Sequence, residues 1–246
     1  MLLGVDSQKA VQDLKKEGVR YLYRGILPPL LQKTASVSLM FGMFGQCQKI
    51  LHKAFPSLSP FATMSASAIV AGTTEAILTP FERVQTLLQD KHYHSRYKNS
   101  LHAFKELRSY GFKEYYRGLG PILMRNGPSN VLFFGLRGEV KKVFPQTEYV
   151  FGDILADFFS GAVVGALIST IFYPINVIKT RMQAQVGGSY TSIWATCKEI
   201  YVERGHSVRG IFLGVHVNYT RALLSWGIIN ASYELLKKIP FNGAVS

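Results

Sequence analysis

Apolar residues gather into five runs, each broken by a single charge. Pro60–Thr79 carries only Glu75 and Ile154–Tyr173 only Asp157, and these two are the cleanest; Ile26–Phe44 carries Lys33, Leu119–Leu136 carries Arg125 and Val215–Tyr233 carries Arg221. A bilayer core takes about 20 mostly apolar helical residues, so the pattern predicts membrane-crossing helices and an all-α, multi-pass bundle. Small residues four apart, Ala68 with Gly72 and Gly161 with Gly165, mark where helices are expected to pack closely. Polar, helix-permissive stretches lie between the runs: Ser7–Glu17, Asn99–Ser109 and Ser189–Glu203, each ending at or near a glycine (Gly18, Gly111, Gly205) suited to a C-cap. They predict short amphipathic helices on the membrane surface. The opposite side has only the short links Phe55–Ser59 and Pro145–Gly152.

The pattern also repeats. Tyr23, Arg24 and Gly25 return as Tyr116, Arg117 and Gly118, while Thr79, Pro80, Phe81 and Glu82 return as Tyr173, Pro174, Ile175 and Asn176. Arg24 and Arg117 are 93 positions apart, Pro80 and Pro174 are 94, and a degenerate third tail ends at Gly214, 96 beyond Gly118. Self-similarity at one period is the mark of an array of like units. Three tails but two proline-led heads put the first head before residue 1, so the chain is expected to begin inside its first repeat. The expected bundle has three tandem two-helix repeats, at 1–58, 59–146 and 147–246, with five of six spanning helices present. Pro80 and Pro174 are expected to kink their helices, since each removes an intrahelical donor.

Composition narrows the partner. The chain is 48% hydrophobic with a formal net charge of +13, a combination that suits an anionic membrane surface. The cations are dispersed among apolar spans and form no recognised nucleic-acid module, so nucleic acid is not expected as a partner. Most of them surround the polar stretches, as in Lys15, Lys16, Lys105, Arg108, Lys198 and Arg209. That side should therefore face the compartment that retains positive charge. Cys47 and Cys197 imply neither disulfide framework nor metal site, and His92 and His94 flank Tyr93 without a third ligand. No phosphate-cradling glycine loop, nucleophile triad or catalytic carboxylate pair is present, so neither an enzyme nor a cofactor is expected. Met1–Val5 is too short for the apolar core of a secretory signal.

An ionisable side chain inside a bilayer segment costs at least roughly 2.5–3.5 kcal/mol on insertion scales and is retained for a pathway or a partner. Arg125 and Arg221 each lie seven residues past a tail glycine, Gly118 and Gly214, and Lys33 lies eight past Gly25. Three helices thus present one cation each at about one depth. Such a set suits a solute with several negative oxygens, and an arginine grips phosphate through two parallel hydrogen bonds. Asn218 and Ser225 share a helical face with Arg221. Trp226 is expected to anchor at the membrane interface or to pack, rather than to stack on a solute ring.

Heads of the form Pro-x-[Asp/Glu]-x-x-[Lys/Arg] and tails of the form [Asp/Glu]-Gly-x4-aromatic-[Lys/Arg]-Gly are the signature of the mitochondrial carrier family. Glu17, Gly18, Tyr23, Arg24 and Gly25 match in the first repeat; Pro80, Glu82, Gly111, Tyr116, Arg117 and Gly118 match in the second; Pro174, Lys179 and Arg181 match in the third. The chain resembles that family over nearly its whole length. The strings Tyr23–Pro29, Ala71–Ile77, Glu82–Asp90 and Ser225–Ala231 resemble its NAD-carrying branch.

The resemblance implies a monomeric carrier of the mitochondrial inner membrane, its helices surrounding a central cavity that opens alternately between two gates. Its solute would be NAD or a related nucleotide-like coenzyme carried into the matrix. Lys33, Arg125 with Asn126, and Arg221 take the family's substrate-contact positions, with Ser225 and Glu75 added. Beside three cations Glu75 would weaken a plain anion, whereas the pyridinium and carboxamide of NAD give it a positive group and a donor. Glu82, Gln85, Asn176 and Lys179 take the matrix gate, where Gln85 replaces the expected base and Asn176 the expected acid, leaving the pair Glu82–Lys179. Tyr233, Glu234 and Lys237 keep the cytoplasmic gate pattern, from which Phe44–Gln48 and Arg137–Lys141 depart, so both gates are expected to be lopsided. Anionic lipids are expected at the matrix-side surface helices. A non-transporting or truncated carrier-like protein, and a paralogue with another anionic substrate, remain as alternatives.

Overall fold

The computed structural model describes residues 27–93, 96–144 and 150–238. The expected surface helix Ser7–Glu17 and the first tail at Tyr23–Gly25 lie outside them, as do His94 and most of the link that begins at Pro145. Every regular element among the described residues is helical. In chain order these are α1 (Leu27–Ala54), α2 (Pro60–Glu75), α3 (Thr79–Gln89), α4 (Ser100–Arg108), α5 (Leu119–Val143), α6 (Val150–Ile171), α7 (Tyr173–Ala184), α8 (Ile193–Glu203), α9 (Val208–Ile211) and α10 (Val215–Lys238). Short 3₁₀ turns join some of them, at Ala76–Leu78, Lys91–Tyr93 and Phe112–Tyr116. Two helical stretches are long and apolar enough to cross a membrane by length and composition, Pro60–Gln89 and Phe151–Ile171. Helices α1, α5 and α10 have 28, 25 and 24 residues. At 1.5 Å per residue they reach about 36–42 Å, more than a hydrocarbon core of about 30 Å. Each runs past its apolar stretch into polar residues.

Side-chain caps open several helices. Ser59, Asn99 and Ser192 accept from the backbone N–H groups of Ala62, His102 and Ala195 at 3.2, 2.8 and 3.1 Å, each satisfying an otherwise orphaned donor. Helix α8 starts at Ile193, later than the polar stretch from Ser189 suggested: Ser192 caps it, and the Ser189 carbonyl accepts from Arg117 instead. Pro80 falls in the first turn of α3, just after the 3₁₀ turn. The Ala76 carbonyl, which an amide at position 80 would ordinarily take, accepts from the backbone N–H of Thr79 and from its Oγ1 at 2.5 Å. Pro174 likewise enters the first turn of α7 after α6 has ended at Ile171. The prolines thus interrupt helical runs that resume at once.

The chain divides into two compact units. The first comprises the described residues up to Pro128 together with Pro174–Gly214. Within it α1 runs beside α2, and α3 packs on α4 and the Phe112–Tyr116 turn. Val84, Leu87, Tyr97, Ala103 and Leu107 form its small core, flanked by Phe104, Tyr115 and Val186. The same unit holds a charged brace. Arg83 is fully buried and Glu114 and Arg117 are 2% exposed. Arg83 Nη2 donates to Glu114 Oε2 and, at 2.8 Å, to the Gln185 carbonyl. Arg117 donates to Glu114 Oε1 at 3.3 Å and to the Gly187 and Ser189 carbonyls at 2.6 Å each. Gly118, next to this arginine, has φ +87°, and a Cβ there would lie 2.8 Å from Gln183 Cγ, so both backbone and space require glycine.

The second unit is Ser129–Tyr173 with the described part of Val215–Ser246. Here α6 and α10 lie in contact along their lengths. A Cβ on Gly165 would sit 2.3 Å from Trp226 Cβ, and one on Gly161 would sit 2.4 Å from Asn230 Cβ. The two glycines form the bed on which α10 lies. Trp226 also meets the Phe133 ring at 4.7 Å, the packing role expected for it.

Breaking a buried ion pair by removing one partner typically costs about 3–5 kcal/mol, because a buried charge is left uncompensated. Glu114→Gln strands two arginines at once. It is expected to lower thermal unfolding in detergent by an amount in that range, and an unchanged transition would contradict the brace.

Candidate functional site

In the first unit the charged and amide side chains singled out by sequence come together from five helices. Lys33 stands exposed on α1, and one turn on, Ser36 Oγ donates to Glu75 Oε2 at 2.9 Å, joining α1 to the last residue of α2. Arg125, half-buried on α5, is held by amides. Its Nε and Nη2 donate to Asn126 Oδ1 at 3.1 and 2.8 Å, and its Nη1 donates to Asn176 Oδ1 on α7 at 3.0 Å. Asn126 is buried, and its Nδ2 reaches the Gly72 carbonyl on α2 at 3.4 Å. A Cβ on Gly72 would lie 2.7 Å from the backbone at Asn126, so this approach requires a glycine. Among the described residues no carboxylate lies within ion-pair distance of Arg125. The guanidinium is aimed without being neutralised by contact.

One turn from Asn176, Lys179 Nζ donates to Glu82 Oε1 at 2.6 Å, forming the pair expected from the sequence. The fields of Arg125 and Lys33 also reach Glu82. Gln85 lies half-buried one turn past Glu82 on α3. The Asn176 side chain accepts a hydrogen bond from Arg125, which the sequence places at the substrate-contact level. Neighbouring Thr86 Oγ1 donates to Gln183 Oε1 at 3.1 Å, a further tie between α3 and α7.

In the second unit Arg221 is exposed on α10 and donates to Asn218 Oδ1 at 3.0 Å, while Asn218 Nδ2 donates to the Ser169 carbonyl at 3.3 Å. Ser225 lies half-buried one turn further along α10. Toward the end of that helix Glu234 pairs with Arg137 at 3.3 Å and with Lys237 at 3.9 Å, and the Arg137 guanidinium lies 5.3 Å from the Tyr233 ring centre. Lys141 bridges Asp153 and Asp157 at 2.9 and 2.6 Å. The segment 137–141 departs from the gate pattern, yet both its bases are paired. A sequence signal for this was available: Arg137 and Lys141 are four apart, as are Asp153 and Asp157, so each pair shares one helix face. Arg83 and Glu114 were also passed over, because nothing in their spacing distinguishes a buried pair from two surface charges.

Three stretches, 9–55, 56–148 and 152–243, match the family model described as "Mitochondrial carrier protein". The mitochondrial nicotinamide adenine dinucleotide transporter of Mus musculus is 51% identical over 97% of this chain and 80% of its own length. Its Homo sapiens counterpart is 50% identical over the same shares. Mitochondrial citrate transporter B of Aspergillus niger is 30% identical over 89% of this chain and 75% of its own.

Reversing either charge of the Glu82–Lys179 pair is expected to lower thermal stability by about 1 kcal/mol or more. The double exchange Glu82→Lys with Lys179→Glu should recover most of that loss. A double variant as unstable as the sum of the two singles would contradict the pairing.

Proposed function

The chain belongs to the mitochondrial carrier family, multi-pass proteins of the mitochondrial inner membrane, and we propose that it carries NAD, or a closely related nucleotide-like coenzyme, into the matrix by alternating access. The observation that carries this reading is Arg125: a guanidinium oriented by Asn126 and Asn176 through neutral oxygens, with its charge left for a solute. A pyrophosphate offers the oxygens that a guanidinium binds in parallel, and a charge-assisted contact of this kind is worth about 1.5–3 kcal/mol. Lys33 adds a point charge. Glu75, steadied by Ser36, receives the nicotinamide end, where a pyridinium and a carboxamide supply charge and donor. Arg221 is assigned the same contact role in the third repeat on its register past Gly214, with Ser225 beside it. Glu82, Gln85 and Lys179 serve closure toward the matrix, and Tyr233, Glu234 and Lys237 closure toward the cytoplasm. The mouse and human relatives named above support NAD over citrate through their higher identity.

The surface helices α4 and α8, with Lys105, Arg108 and Lys198, face the matrix and rest on anionic headgroups, each base near such a surface contributing about 1 kcal/mol. The protein works as a monomer.

Liposomes holding the protein should take up labelled NAD. Arg125→Ala is expected to reduce uptake by about tenfold or more at unchanged thermal stability. Glu75→Gln should impair NAD uptake as well, and an untouched rate would remove the carboxylate from the site. Loss of protein accumulation in Arg125→Ala would give that residue a structural role instead.

A further inference from the structure

The third head departs from the second at one informative position. In Pro80-Phe81-Glu82 the third residue is a carboxylate that pairs with Lys179; in Pro174-Ile175-Asn176 the same register holds an amide. That amide does not stand idle among gate residues. Its Oδ1 accepts from Arg125 Nη1 at 3.0 Å, and its backbone carbonyl accepts from Thr180 Oγ1 at 2.9 Å, which ties it to α7. The other two donating nitrogens of Arg125, Nε and Nη2, are taken by Asn126 Oδ1. Among the described residues every hydrogen bond of this guanidinium is therefore to a neutral acceptor.

The distinction between amide and carboxylate is electrostatic, since the two side chains are nearly isosteric. An amide oxygen fixes the direction of a guanidinium and leaves its charge in place. A carboxylate at the same 3.0 Å would form a charge-assisted pair, occupy the same fork that a phosphate uses, and compete directly with an anionic solute.

We propose that Asn176 is a specificity-determining residue of the solute site rather than a member of the matrix gate: it aims Arg125 while keeping the guanidinium charged toward a phosphate-bearing solute. The substrate-contact surface thus extends from α5 onto α7. The residue that weakens the gate by lacking a charge is the same one that leaves the cation available. This inference deepens the proposed NAD transport and rests on that reading.

The test is the concentration dependence of labelled NAD uptake by liposomes holding the unsubstituted protein, Asn176→Asp or Asn176→Ala. Asn176→Asp should raise KM about tenfold or more with a smaller change in the maximal rate, the loss expected when one charge-assisted contact is replaced by an internal pair. Asn176→Ala keeps the charge but loses the aim, and should raise KM by a smaller factor. A KM in Asn176→Asp equal to that of the unsubstituted protein, or a fall in maximal rate at constant KM, would overturn the proposal and return Asn176 to the gate. Stabilisation against thermal unfolding by inorganic pyrophosphate reads the same contact without NAD. It should be present in the unsubstituted protein and absent in Asn176→Asp; if both or neither are stabilised, Asn176 has no such role. No NAD uptake by the unsubstituted protein, with the pyrophosphate difference intact, would sink NAD as solute and leave the role of Asn176 standing.

Discussion

Two buried arginines sharing one carboxylate hold the first unit in register. Arg83, Glu114 and Arg117 are almost wholly removed from solvent, a state that is tolerable only because the backbone carbonyls of Gln185, Gly187 and Ser189 complete the coordination. This brace joins α3, the Phe112–Tyr116 turn and the chain that follows α7. Glu82 precedes Arg83 on α3, about 100° around the helix. With Arg83 fixed inward, Glu82 is turned toward Lys179 on α7. Asn176 lies one turn from Lys179 on that same helix, so the position of α7 sets both the ion pair and the acceptor for Arg125. The site residues are few, yet their geometry descends from a buried charge cluster that touches none of them.

The second unit is built on a different principle. Where α6 meets α10, glycines at 161 and 165 let Trp226 and Asn230 press against the helix backbone. Between such helices lipid offers no hydrophobic drive, so close packing and hydrogen bonds carry the contact. Asn230 shows both, since its Nδ2 donates to the Asp157 carbonyl at 2.7 Å and to Ser160 Oγ at 3.3 Å. At the charged end of this unit Glu234, Arg137 and Lys141 are partly exposed, while Asp157 is buried. A partly solvated pair such as Arg137–Glu234 contributes about 0–1 kcal/mol.

Much of this was legible in the sequence because periodicity and repetition are local signals. Apolar runs gave the long helices, and Gly161 and Gly165 marked a close contact. The register of the second and third repeats singled out Arg125, Glu82 and Lys179 before any contact was known. What stayed hidden depends on distance in space rather than spacing in sequence. Arg83 and Glu114 are 31 residues apart and read as ordinary charges. The bond between Arg125 and Asn176 joins residues 51 positions apart. Arg137 and Lys141 failed a sequence pattern, although pairing needs only a base within reach of Glu234 or Asp157.

The central claim is that cations held by neutral amides select a phosphate-bearing coenzyme over smaller carboxylates. It is tested most directly by uptake of labelled NAD into liposomes holding the unsubstituted protein, challenged with unlabelled NAD or with citrate at equal concentration. Unlabelled NAD should suppress the uptake and citrate should leave it nearly unchanged. Equal suppression by citrate would contradict the account, since it would mean that the site reads negative charge alone.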